Sequence, residues 1–288
     1  MLYFKNSVKF ICCVVGLLVY QCSPPSSEQD EDSRSNLSAQ IPADLRVVFS
    51  SQSEKNCDDF ALFSRENIRL ENNTWNAGNL AAGSFTQCIY KYAHQDQHLW
   101  GWEWSYPEYP TGINAYPELI FGKKPWHPNS TTTKLPLQVD AIQALKVSYE
   151  VAIARNDGEY NLAFDNWITI DEESNPEAIR FEFMIWEDFY AIEPFGQYQA
   201  TVDTSNGSYR FYTGEPDWEP EGTNWTYLAF VRTDPRTKGT VDIDELLQYL
   251  IQEDIVPGNA YLSSIEFGTE VGNSSGYAVV KNFNITLQ

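Results

Sequence analysis

The sequence predicts an all-β fold, a β-sandwich or jelly roll with one α-helix packed on its outside. Three observations lead there. From Ile68 onward, short β-branched and aromatic runs alternate with clusters of Gly, Pro, Asn and Asp, the pattern of strands joined by turns. Only one segment carries its apolar residues at helical spacing. Aromatic residues make up 15% of the 288, with 9 Trp, 17 Tyr and 16 Phe, enough bulk to fill a core between sheets.

Residues 1–22 read as an export signal and not as part of the fold. Lys5 and Lys9 form a basic start, and Phe10 to Tyr20 is an apolar stretch well short of the about 20 residues that cross a bilayer. Val19, three residues before Cys22, is similar to a bacterial lipobox, so Cys22 is expected to carry lipid; Gln21 departs from the small residue usual there. Residues 23–50 begin rich in Ser, Pro, Gln and acids and read as a disordered tether. Residues 51–288 are expected to form one domain. Of 5 Cys, Cys12, Cys13 and Cys22 fall in the signal region. Cys57 and Cys88 remain, and in an exported chain they most simply form one disulfide, worth roughly 2–4 kcal/mol.

Strands are expected over 68–75, 147–154, 160–169, 180–187, 209–214, 225–232 and 277–287. The helix is expected over 240–254. There Leu246, Leu247, Leu250 and Ile251 recur at helical spacing, Thr240 or Asp242 can cap the start, and acids crowd the first turn where the dipole favours them.

Charge excludes one class of partner. Lys plus Arg is 19 against 40 Asp plus Glu, a net charge of −21, and so acidic a chain is repelled by phosphate backbones. No nucleic acid partner is expected, and membrane contact only through the lipid on Cys22. The histidines His94, His98 and His127 lack ligand spacing with the cysteines, so no metal is expected. No phosphate-binding glycine loop and no Gly-x-Ser-x-Gly turn occur. No cofactor is expected, and the chain is expected to be a monomer.

Strand parity assigns faces, because residues i, i+2 and i+4 share one. Phe181, Phe183 and Ile185 point to the core; Glu182, Met184 and Trp186 point away. Leu162, Phe164 and Ile168 point to the core; Asn161, Ala163, Asp165 and Trp167 point away. Trp100, Trp102, Trp104 and Tyr106 share one side of their run. A curved sheet with indoles and carboxylates on its outer face makes a groove for a polysaccharide. Sugar C–H faces stack on the rings and carboxylates bind the hydroxyls. Hydrolysis of a glycosidic bond needs two carboxyl groups, one acid and one base or nucleophile.

Several segments, in order, resemble glycoside hydrolase family 12, the small endo-β-1,4-glucanases and xyloglucan hydrolases. They are 57-CDDFALF-63, 72-NNTWNAG-78, 102-WEW-104, 114-NAYPELIFG-122, 163-AFDNW-167, 182-EFMIW-186, 194-PFG-196 and 268-GTE-270. Asn76 stands where that family usually has Gly. The stretch 216–224 does not align, and 123–145 is longer than in compact members.

The resemblance implies a concanavalin-like jelly roll with a curved, cleft-bearing sheet. It implies an exported endo-acting hydrolase of β-1,4-glucan, mixed-linkage glucan or xyloglucan. Glu182 would be the nucleophile, Glu270 the general acid and then the base, and Asp165 a partner tuning the nucleophile. Asn73 and Trp75 would hold a sugar ring; Met184 and Trp186 would floor the cleft; Trp102, Trp104, Tyr116 and Trp167 would add sugar contacts. Such a pair predicts retention of configuration with the carboxyls about 5–5.5 Å apart. Mutual repulsion of the two acids is expected to keep Glu270 protonated. A catalytically silent glycan-binding surface on the same sandwich is the competing reading.

Overall fold

A computed structural model describes residues 36–108, 112–216 and 225–288. The expected signal peptide, Cys22, the start of the tether and most of the 216–224 stretch lie outside the described residues.

Two sheets pack face to face. The smaller runs in the order β1 (Glu54–Asn56), β4 (Thr86–His94), β5 (Gln97–Ser105), β17 (Ser275–Leu287), β8 (Leu145–Arg155) and β14 (Lys238–Asp242). The larger begins with β11 (Gln197–Thr204), β12 (Gly207–Gly214), β13 (Thr226–Arg232), β10 (Ile179–Tyr190) and β9 (Tyr160–Thr169). It continues through β16 (Ser264–Gly268), β6 (Glu118–Gly122), β3 (Ile68–Glu71) and β2 (Leu62–Arg65). Two short strands, β7 (Leu137–Gln138) and β15 (Tyr261–Leu262), attach beside β9. Neighbours are antiparallel except β10 and β13, which run parallel.

The core lies between the sheets. Trp102 comes from the smaller sheet, and Phe164, Phe183, Phe230 and Phe267 from the larger; all are fully buried there. The parity expected for β9 and β10 holds: Leu162, Phe164, Ile168, Phe183 and Ile185 are all in this core. The helix α1 (Ile243–Gln252) drives Leu246, Leu247 and Leu250 into it. Its N-cap is Asp242, but that carboxylate makes no capping bond. It is taken instead by Lys146 and Asn206. Cys57 and Cys88 are joined by a disulfide.

Two expectations need correction. The strand expected over 68–75 stops at Glu71. There the Asn72 amide turns to the carbonyls of Asp58 and Gln87, which bends the chain and projects Trp75. Over its described part, 36–50, the expected tether packs onto the fold. Leu37, Ile41, Leu45 and Val48 are buried against Tyr90, Tyr92, Leu99, Tyr277 and Val279 on the outer face of the smaller sheet. Gly101 permits this, since a Cβ there would sit 2.7 Å from Val48 Cγ1. The larger sheet keeps its outer face for the cleft.

Candidate active site

The outer face of the larger sheet carries a cavity of 690 Å³. Register builds its floor. Glu182 on β10 lies opposite Trp167 on β9 and Tyr227 on β13. Asp165 is opposite Met184, hence diagonal to Glu182 on the same face. All four of Glu182, Asp165, Trp167 and Tyr227 line the cavity.

Glu270 reaches the same cavity from the turn after β16. That turn is fixed from several sides. The Asn161 amide donates to the Glu270 carboxylate and the Glu270 N–H donates to Asn161 Oδ1 at 3.1 Å. Trp102 Nε1 donates to Thr269 Oγ1 at 2.8 Å, and Trp104 Nε1 to Ser274 Oγ at 2.9 Å. A Cβ on Gly268 would lie 2.2 Å from the Pro117 carbonyl, so only glycine lets the strand approach there.

Electrostatics separates the three acids. Burial pushes the Glu270 carboxyl up to about 7, partly opposed by the Asn161 bond. The expected cause, repulsion between Glu182 and Glu270, is corrected: desolvation raises Glu270, and the repulsion falls on Asp165. Burial and then the charges of Glu182 and Glu270 hold Asp165 well above the ordinary carboxylate range. Its Oδ1 is buried without a hydrogen-bond partner among the described residues. Burial, Glu270 and Glu182 likewise push the Tyr227 phenol far up, so it stays neutral.

A second acid group adjoins. Glu71 on β3 and Glu118 on β6 are paired in register, and Glu266 comes from β16. Lys124 enters among them, 2.5 Å from Glu118, 3.5 Å from Glu71 and 3.8 Å from Glu266. His127 Nε2 lies 2.5 Å from Glu71. Burial opposes the charge on Lys124, but the three carboxyls overcome it and hold the ammonium above its usual range. Burial raises Glu71 also, yet His127 and Lys124 outweigh it and the carboxyl lies low. Burial and Glu118 raise Glu266 well above its usual range. Among the described residues, no group of His, Cys, Asp and Glu is arranged to hold a metal ion.

Aromatic rings supply the walls. Phe60, Trp75 and Trp126 line the cavity while 51%, 52% and 51% exposed, and large apolar rings left open in a cleft mark a binding surface. Trp126 stands edge-on to Trp167 at 4.9 Å, and Trp167 edge-on to Trp225 at 5.2 Å. Trp225 Nε1 donates to Glu182 Oε2 at 2.6 Å.

Of the residues expected to touch sugar, Asn73, Trp75, Tyr116, Trp167 and Trp186 line the cavity. The Asn73 amide donates to Glu118 at 2.9 Å, and the Tyr116 hydroxyl to the Ala163 carbonyl at 2.9 Å. Three expectations are corrected. Trp102 and Trp104 lie in the core between the sheets, where they brace the Glu270 turn and reach no substrate. Met184 is buried beneath the floor, its sulfur taking the Trp186 N–H at 3.5 Å.

Lys124, Trp126 and His127 were hidden inside the apparent insertion, and Trp225 and Tyr227 beside the stretch that did not align. One signal was legible: Tyr227, Ala229 and Val231 alternate along β13 and share the cleft-side cluster with Trp186.

Residues 66–288 match the family model for glycosyl hydrolase family 12. The chain belongs to that family. It is 26% identical to Endoglucanase S of Pectobacterium parmentieri, across 84% of this chain and 90% of that one. It is 26% identical to the xyloglucan-specific endo-beta-1,4-glucanase 1 of Phytophthora nicotianae, across 69% and 77%. A family 12 xyloglucanase structure from Bacillus licheniformis superposes with a TM-score of 0.71 at 26% identity, covering 82% of this chain and 99% of that one. As a family 12 hydrolase, the chain presents its cleft on the larger sheet and its N-terminal strap on the smaller one.

Proposed function

We propose that the protein is a retaining endo-β-1,4-glucanase acting on internal bonds of cellulose-type glucans. The observation that carries this is the opening of Glu182 and Glu270 onto one cavity flanked by the exposed rings of Trp75 and Trp126. The cavity is an open trough on a sheet face, suited to a chain gripped along its length.

In the first step a Glu182 oxygen attacks the anomeric carbon while Glu270 gives its proton to the departing glycosidic oxygen. A glycosyl ester on Glu182 and a free chain end result. In the second step Glu270, now a carboxylate, takes a proton from water. The water oxygen bonds to the anomeric carbon, and the ester bond to Glu182 breaks. Two inversions give retention. Glu270, raised to about 7, holds its proton for the first step near neutral pH. Asp165, raised by burial and by the charges of Glu182 and Glu270, resists adding a second negative charge against the nucleophile. The disulfide fits an oxidising compartment, which agrees with export; lipid on Cys22 would fix the enzyme to a membrane.

The test is a panel of barley β-glucan, carboxymethylcellulose and xyloglucan with wild type and Glu182→Ala. Xyloglucan belongs in it because two of the relatives above are named for it. Expected are a rapid fall in viscosity, new reducing ends and a product first released as the β-anomer. Binding without turnover by wild type, or release of the α-anomer, rejects the reading.

A further inference from the structure

The proposed mechanism leaves one short contact to the nucleophile unused. Trp225, immediately before β13, donates its indole N–H to Glu182 Oε2 at 2.6 Å, at the short end for such bonds and typical of a charged acceptor. The ring is 8% exposed. It packs in one cluster with Trp167 and Ile179, edge-on to Trp167 at an interplanar angle of 88°. The donor is therefore fixed before substrate arrives, as preorganised stabilisation requires. The wall it belongs to also faces ligand, since Trp167 lines the cavity and its buried Nε1 has no hydrogen-bond partner among the described residues.

We propose that Trp225 is a positioning residue that fixes the Glu182 carboxyl plane through its indole N–H and stabilises that carboxylate as it departs in the second step. This rests on the glycosidase reading above. An indole N–H suits the task because it donates, never accepts and does not titrate. It favours the carboxylate over the ester, which has lost the negative charge. The bond to Trp225 thus weakens when the ester forms and strengthens when water displaces it. Removing the donor makes Glu182 a poorer leaving group and slows the second step most. The titratable groups facing Glu182 are Asp165 on β9, Tyr227 on β13 and Glu270 after β16. Trp225→Phe leaves all three in place.

The experiment uses an aryl β-cellotrioside with an activated leaving group, so that breakdown of the glycosyl-enzyme limits turnover. Wild type, Glu182→Ala, Trp225→Phe and Trp225→Ala are compared. Trp225→Phe keeps a ring against Trp167 but loses the donor. It is expected to lower kcat about 10-fold or more and to lower KM with it, leaving kcat/KM within about 3-fold. The acidic limb of kcat/KM should move to higher pH, because the free carboxylate has lost a donor. Trp225→Ala should add a rise in KM for a longer glucan. Unchanged kcat and acidic limb in Trp225→Phe overturn the inference. So does equal impairment of both variants with a lowered Tm, which marks a packing role. If wild type itself is no better than Glu182→Ala, the glycosidase reading fails and takes the inference with it. If wild type turns over and Trp225→Phe matches it, only the inference fails.

Discussion

Glu71, Glu118 and Glu266 rise from β3, β6 and β16; Asp165, Glu182 and Glu270 rise from β9, β10 and the turn after β16. Each set puts three carboxyl groups on neighbouring strands of one sheet, and both adjoin one cavity. The first set surrounds the Lys124 ammonium, with His127 against Glu71. The second has neutral donors, the Asn161 amide and the Trp225 indole. Where a cation sits among the acids it offsets part of their charge, and Glu71 lies below its ordinary range although burial and Glu118 still raise Glu266. In the second set burial outweighs the more distant pull of Lys124 on Asp165, and Asp165 and Glu270 are both raised. Three acids beside a lysine make a brace. Three acids with neutral donors leave Glu270 able to hold and hand over a proton near neutral pH.

The comparison is broken most sharply by removing the proton itself. Glu270→Gln should lower kcat on β-glucan by about 10²–10⁴-fold, the worth of a general acid. Wild-type activity should fall tenfold per pH unit above about 7, where Glu270 ionises. An aryl glycoside whose leaving group needs no proton should lose that alkaline limb in its first step, and Glu270→Gln should recover much of that step, read as a burst of released aryl alcohol, while turnover stays slow for want of the base. Retention of the limb with that substrate would assign it to another group.

Next in size is the brace. Lys124→Met strands buried carboxyls without a counter-charge and should cost about 3–5 kcal/mol, several degrees to well over ten in Tm. The loss should shrink below about pH 5, as the carboxyls take up protons in place of the ammonium. Thermal melts at pH 5 and pH 8 check this. Equal losses at both would mean that Lys124 acts by packing alone.

The smallest effect runs in the opposite direction. The folded Glu270 carboxyl lies at about 7 against an ordinary 4.5, so the native state holds a proton that the unfolded chain has released. Stability from this group is present below about pH 4.5 and is lost as pH rises through about 7. Glu270→Gln removes that loss. Its Tm should exceed wild type by a few degrees at pH 8.5 and match it at pH 4.5. A variant less stable at both would show that the Asn161 bond, and not the charge, dominates.

Much of this was legible in the chain, for a definite reason. A strand's period is two, so Glu182 and Asp165 could be put on the face opposite Phe183 and Phe164 without coordinates. Parity says which residues share a face, but not which face of which sheet. That is why Trp102 and Trp104 read as sugar contacts although β5 turns them inward. The Glu270 role rested on resemblance, because a turn has no period to read. Lys124 escaped notice, and His127 was weighed only as a metal ligand, because their partners, Glu71, Glu118 and Glu266, come from three distant segments. No spacing rule links a lysine to carboxyls contributed in that way. The strap was readable in principle: Leu37, Ile41, Leu45 and Val48 recur at steps of four, four and three. The acidic, Ser-rich run before them dominated the composition.

That strap has a bearing on how the enzyme meets a polymer. It lies on the back of the molecule, with two sheets between it and the trough. A long glucan can therefore run along the cleft from end to end without meeting the strap, and the back of the molecule is closed without narrowing the working face.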